Sequence, residues 1–160
     1  MTTYEGRVVG LQRSTGGVPK QPVERAAIGP AGLDGDRQRD RRFHGGPERA
    51  LCLYSQECLD GLLAEGHRAE RGALGENVTI GGLPWREVRP GARLRIGPVD
   101  VEVTGYTSPC SKLAGAFLGG VFTRVSEKVN PGWSRVYVRV LGEGAIAVGD
   151  PVVLIPGAEG

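Results

Sequence analysis

The chain has 160 residues, with 20 Lys and Arg against 18 Asp and Glu, a near balance that excludes a whole-molecule field for capturing nucleic acid. Its 27 glycines and 11 prolines stay just under the low-complexity range and follow no Gly-X-Y period. Collagen and a disordered tail are therefore excluded, and one loop-rich globular domain over 1–160, with its core at about 4–155, is expected. The start has no basic segment followed by an apolar run, and the longest apolar stretch, around Leu113 to Val125, is broken by Gly115, Gly119, Gly120 and Arg124; a soluble, cytoplasmic protein with no membrane or nucleic-acid partner is expected.

The first strand is predicted over 7–11. Residues 34–42 are charge-dense, and in an extended chain Arg37, Arg39 and Arg41 share one face that could grip a phosphate. The plainer reading is a solvated loop, because three aspartates nearly balance four arginines. In His44-Gly45-Gly46-Pro47-Glu48-Arg49, two glycines after a histidine allow close backbone approach and an anion-binding nest, although Gly-Gly-Pro is more often a simple turn.

A strand follows over 50–54. Ser55 then caps a helix whose apolar stripe is Cys58, Leu59, Leu62 and Leu63, with Glu57 near its positive end and Gly66 stopping it. Further strands are predicted over 77–80, 93–96, 99–104, 135–141 and 152–155, separated by Gly81-Gly82, Arg89-Pro90-Gly91, Gly97-Pro98 and Asn130-Pro131-Gly132. The clearest is Val99-Asp100-Val101-Glu102-Val103-Thr104, with valine on one face and polar residues on the other. A short helix is expected from Ser111 to Leu118, and Val121, Val125 and Val129 carry helical spacing. About seven short strands in so small a chain predict a mostly β fold, a barrel or a sandwich.

The three cysteines form no Cys-X-X-Cys pattern, so reduced thiols fit better than a disulfide framework or a zinc ribbon. Cys52 in a strand and Cys58 on the helix stripe read as core residues. Cys110 lies in Thr107-Ser108-Pro109-Cys110-Ser111-Lys112, between the valine strand and the short helix. A thiol at a helix N-terminus beside a lysine is suited to be a nucleophile or soft-metal ligand, and the alternative is a small buried hydrophobe. Gly75-Glu76-Asn77 places a carboxylate and an amide ahead of a strand. The dinucleotide, P-loop, zincin and hydrolase-elbow signatures are absent from the sequence.

Taken in order, G-L-D-G-D (32–36), H-G-G-P-E-R-A-L-C-L-Y (44–54), G-E-N-V-T (75–79), S-P-C-S-K-L (108–113) and G-D-P-V (149–152) resemble the MOSC domain family, over roughly residues 4–155. The resemblance implies a compact β-barrel-like domain with a few short helices that binds molybdenum cofactor (molybdopterin). It puts Cys110 in the place of the molybdenum ligand and catalytic residue. His44, Gly45, Gly46, Glu76 and Asn77 become walls of the cofactor pocket, with Ser108, Lys112 and Arg37 as holders of the pterin phosphate. It further implies a reductase of N-hydroxylated or N-oxygenated small molecules, supplied with electrons by a flavin or iron–sulfur reductase. The rival is a carrier of persulfide sulfur or of the cofactor through Cys110, and a Cys110–His44 thiol hydrolase is a third reading. Larger relatives carry an extra N-terminal β domain, and some bacterial ones an Arg where this chain has Thr107 and a C-terminal helical extension. A homodimer sharing the cofactor grip is thus among the expectations.

Overall fold

The computed structural model describes residues 2–36 and 46–157. In chain order its strands are β1 (Tyr4–Arg13), β2 (Gln21–Val23), β3 (Arg25–Gly29), β4 (Gly32–Leu33), β5 (Leu51–Ser55), β6 (Val78–Gly81), β7 (Arg93–Ile96), β8 (Val99–Tyr106), β9 (Val136–Gly142), β10 (Gly144–Ala147) and β11 (Pro151–Ile155). The one α-helix among the described residues, α1 (Gln56–Ala64), follows β5 directly.

Seven strands close into a barrel in the order β1-β11-β7-β8-β9-β5-β6 and back to β1. All pairs are antiparallel except β5–β6. Closure removes the open strand edges that a flat sheet of this size would expose. The long β1 makes closure possible: its first half pairs with β11 and its middle, from Arg7 to Leu11, with β6, while its last residues also pair with the short β2 outside the ring. β10, β3 and β4 form a separate small sheet.

Alternation supplies the inside of the barrel. Val99, Val101 and Val103 of β8 are buried while Asp100, Glu102 and Thr104 between them are half-buried. Leu51 and Leu53 of β5, Val136 and Val138 of β9, and Val152 and Leu154 of β11 are buried in the same way. Each such aliphatic side chain contributes about 1.5–3 kcal/mol on leaving water. The buried apolar residues form one contiguous cluster.

The start of α1 is as its sequence demands: the Ser55 hydroxyl accepts a hydrogen bond from the Cys58 amide at 3.1 Å, satisfying a donor with no partner inside the helix. Gly61 lets the helix lie against Trp133, whose ring would be 2.8 Å from a Cβ at that position. Cys58, Leu59 and Leu62 are buried, but Leu63, expected on the same stripe, is 41% exposed. The helix has nine residues and turns a narrower arc to the barrel than the apolar pattern suggests.

Other expectations change as well. Residues 111–116 wind as a 3-10 helix, and Phe117 leaves helical geometry at φ −111° and ψ 140°. Gly115, Gly119 and Gly120 make an α-helix unfavourable there. The spacing of Val121, Val125 and Val129 does not produce a helix either: only Val125 is buried, in a 3-10 turn over Phe122–Val125. β2, β3, β4 and β10 were not anticipated, since segments such as Gly144-Ala145-Ile146-Ala147 have little strand character and form by pairing with distant chain. No helix among the described residues is long and apolar enough to cross a membrane.

Candidate functional site

Cys110 reaches its position through β8 and β9. Beyond Tyr106 the chain stays tied to β9, because the Thr107 amide donates to the Arg135 carbonyl at 3.0 Å. Cys110 is then extended, at φ −134° and ψ 174°, directly before the 3-10 helix Ser111–Ala116. Its carbonyl accepts from the Leu113 amide at 2.9 Å. Of the three thiols, Cys110 alone is partly exposed, whereas Cys52 and Cys58 are buried. Ser108 and Lys112 on either side of it are exposed.

Tyr137 marks what lies around the thiol. Burial pushes its phenol up to about 12; the nearby Cys52 and Cys110 thiols add to the rise, and Arg135 and Arg49 oppose it. Two thiols and two guanidinium groups thus act on one hydroxyl that keeps its proton at neutral pH. The Arg49 guanidinium stands 5.4 Å over the Tyr137 ring, a cation–π arrangement. Cys52 pairs with Tyr137 across β5 and β9, and burial pushes its thiol up to about 11.

Arg135 is the least ordinary member of this group. It is buried, its Nη1 donates to the Leu74 carbonyl at 2.7 Å, and its Nε has no hydrogen-bond partner among the described residues. The Thr107 hydroxyl is likewise buried and without a partner. Buried polar groups without partners are uncommon in a folded protein and are associated with function or with bound water.

Gly46 is exposed and opens the turn Pro47–Arg49. The Thr104 hydroxyl donates to the Glu48 carbonyl, which holds that turn, and so Arg49, against β8. His44, Gly45 and Arg37 lie outside the described residues, and with them Arg39, Arg41 and any Cys110–His44 pair.

Glu76 and Asn77 sit deeper. Both are fully buried. Asn77 Oδ1 accepts from the Cys52 amide at 3.0 Å, and Nδ2 donates to Asp36 at 2.9 Å and to the Gln12 carbonyl at 3.3 Å. This side chain closes the start of the parallel β5–β6 seam, where strand pairing runs out. Burial pushes the Glu76 carboxyl up to about 7, against the opposing pull of its own backbone amide, those of Gly72 and Leu74, and the Arg135 charge. None of those amides closes to a hydrogen bond with either carboxyl oxygen.

Cys110, with exposed Ser108 and Lys112 near it in the chain, and Arg49 of the turn that Gly46 opens both act on Tyr137, while Glu76 and Asn77 are buried, Asn77 on the amide of Cys52, the strand neighbour of Tyr137. Sequence reasoning missed Arg49, Arg135 and Tyr137. Arg135 and Tyr137 alternate with Val136 and Val138 and read as the solvent side of a strand; only the segments packed over β9 reveal them as sheltered.

The chain matches the family model of the MOSC domain over residues 40–153. It is 33% identical over 147 residues to the uncharacterized protein YflK of Bacillus subtilis (strain 168), which covers 89% of this chain and 65% of that one. With the protein YiiM of Escherichia coli (strain K12) it shares 32% identity over 129 residues, 78% of this chain and 56% of that one. The chain thus spans just under two thirds and just over half of the lengths of these curated relatives. Among solved structures, YiiM from Geobacillus stearothermophilus has a TM-score of 0.75 at 29% identity, covering 94% of this chain and 75% of that one. The YuaD protein from Bacillus subtilis, with a TM-score of 0.72 at 17% identity, covers 98% and 99% and shares the fold.

Proposed function

The chain belongs to the MOSC domain family, which is associated with molybdenum cofactor binding, and from that premise we propose that it binds a molybdenum–pterin cofactor with Cys110 as the protein's metal ligand. The observation that carries this reading is the setting of Cys110: a partly exposed thiol beside a sheltered Tyr137 hydroxyl, with the Arg49 and Arg135 charges around them. A thiolate is a soft ligand of the kind such a metal accepts, and guanidinium groups suit an anionic phosphate-bearing group. Among the described residues no three His, Cys, Asp or Glu side chains group as they would in a protein-only metal cage. A cofactor that brings its own sulfur ligands needs only one from the protein. The donor set therefore fits the group.

When bound, the cofactor supplies two-electron oxygen-atom transfer, here in the reduction of an N-hydroxylated or N-oxygenated small molecule with electrons from an external flavin or iron–sulfur reductase. The chain's own part is to bind and orient. Cys110 would anchor it, Ser108 and Lys112 with Arg49 would hold its phosphate, as the family resemblance implies for Arg37 as well, and Gly46 would belong to the pocket wall to which the same resemblance assigns His44 and Gly45. The Tyr137 hydroxyl stays protonated and can donate a hydrogen bond. Glu76 and Asn77 hold the wall from below.

Molybdenum and pterin analysis of the wild type and of Cys110→Ala, expressed in a host that makes the cofactor, tests the proposal. Near-stoichiometric molybdenum and pterin in the wild type, with molybdenum lost from the variant, is the expected result. No molybdenum or pterin in either protein would sink it. The same partly exposed thiol suits the carrier reading, which predicts a mass gain of about 32 Da at Cys110 after exposure to a sulfur donor.

A further inference from the structure

A second cavity lies away from the Cys110 face. The ladder between β8 and β9 is regular from Val101↔Val140 to Val103↔Val138 and then shifts register, so that Gly105 faces Tyr137 and Tyr106 faces Val136. The extra residue turns Tyr106 onto the strand face of Val136, opposite to that of Tyr137, and bulges often re-aim a side chain in this way. There Tyr106 meets the turn Trp85–Glu87 and the loop ahead of β9 around a cavity of about 160 Å³. That is smaller than the roughly 300 Å³ at the low end of drug-sized sites, and it suits a fragment of about ten non-hydrogen atoms.

Its polar groups are arranged for a ligand. The Tyr106 hydroxyl lies in the fields of the Glu127 carboxylate and the Arg89 guanidinium, and burial together with Glu127 keeps the phenol protonated. Glu127 accepts from the Gly132 amide at 3.0 Å through Oε1, and its Oε2 has no hydrogen-bond partner among the described residues. Gly132 has φ +89°, and a Cβ there would stand 2.9 Å from the Arg86 side chain. The glycine thus lets the Arg86 stem lie down beside the cavity. The Arg86 guanidinium and the Tyr106 hydroxyl have no hydrogen-bond or ion-pair partner among the described residues, and exposed Arg89 makes only a 3.5 Å contact with half-buried Glu87. Trp85 lines the cavity with its Nε1 already donating to the Ser134 carbonyl at 2.8 Å, so the indole offers surface and no free donor.

We propose that this cavity binds a small planar organic monocarboxylate carrying a hydrogen-bond donor at its other end, the carboxylate on Arg86, Arg89 and Tyr106 and the donor on Glu127. Two guanidinium groups and a phenol favour one negative charge. The Glu127 carboxylate disfavours a second and selects an N–H or O–H. The site is separate from the cofactor face and does not depend on the cofactor reading.

Calorimetric titration with 4-aminobenzoate tests it, with benzoate and aniline as the probes that lack one end each. Saturable one-to-one binding of 4-aminobenzoate is expected, weaker by about tenfold or more for benzoate and for aniline. The double substitution Arg86→Gln/Arg89→Gln should weaken it by at least as much, Glu127→Gln should narrow the gap between 4-aminobenzoate and benzoate, and Cys110→Ala should leave binding unchanged. Circular dichroism of these surface variants checks that they fold. A dissociation constant above about 10 mM, equal affinity in the double variant, or loss of binding in Cys110→Ala would each overturn the proposal.

Discussion

Two polar clusters back onto β5 beside Cys52, and they treat their hydrogen bonds differently. In the first, Asn77, Asp36, Lys20 and Gln12 satisfy one another: Asp36 accepts from Lys20 at 2.7 Å, from Asn77 at 2.9 Å and from the Ser14 amide at 2.9 Å, while Gln12 donates to the Glu76 carbonyl and to Thr79. In the second, Glu76, Arg135 and Thr107 have buried atoms without partners among the described residues. A saturated buried network rigidifies the chain, and an unsaturated one stores free energy that a ligand, a proton or water can release. The first cluster is thus where the fold is locked, and the second is where buried polar capacity is left over.

The sharpest way to break this contrast is to unpair the first cluster. Lys20 and Asp36 have side chains only 7% and 5% exposed, so Asp36→Ala leaves a buried cation alone and should cost about 3–5 kcal/mol, measured by urea unfolding. A loss below about 1 kcal/mol would mean that the pair behaves as a surface ion pair.

The second cluster makes a prediction of opposite character, in pH. Folding raises the Glu76 pKa from 4.5 to about 7, so between those values the folded chain holds a proton that the unfolded chain has lost. This contribution to stability is full below about pH 4.5 and disappears as pH rises through about 7, a change on the order of 3 kcal/mol. Glu76→Gln should flatten that part of the stability profile, and an unchanged slope would show that some other group titrates.

The smallest effect is expected at Cys110. Cys110→Ala should alter stability by no more than about 0.5 kcal/mol, whereas Cys52→Ser in the buried strand should cost about 1–3 kcal/mol. Native-state alkylation followed by mass spectrometry should modify Cys110 first. The Cys52 thiol, buried and pushed up to about 11, should react only on unfolding; equal labelling of both would erase the distinction between the thiol sealed in β5 and the one beyond β8.

Local signals carried much of the architecture. Strict alternation at Val99 to Thr104 marked β8, the Ser55 cap and the stripe at Cys58, Leu59, Leu62 and Leu63 marked α1, with only Leu63 left outside the core, and the five ordered motifs pointed to the family and its barrel. These features depend on residues close in sequence, where side-chain period and capping chemistry act directly. Tertiary structure decided the rest. β3 and β10 exist because Ala26 and Ile146 meet across more than a hundred residues; Arg135 and Tyr137 become sheltered because distant segments cover their strand face. The bulge that turns Tyr106 toward Arg89 and Glu127 is likewise set by the register of β8 on β9. Burial and pairing between remote segments determine which polar residues lose water, and that loss separates a sheltered arginine such as Arg135 from a solvated one.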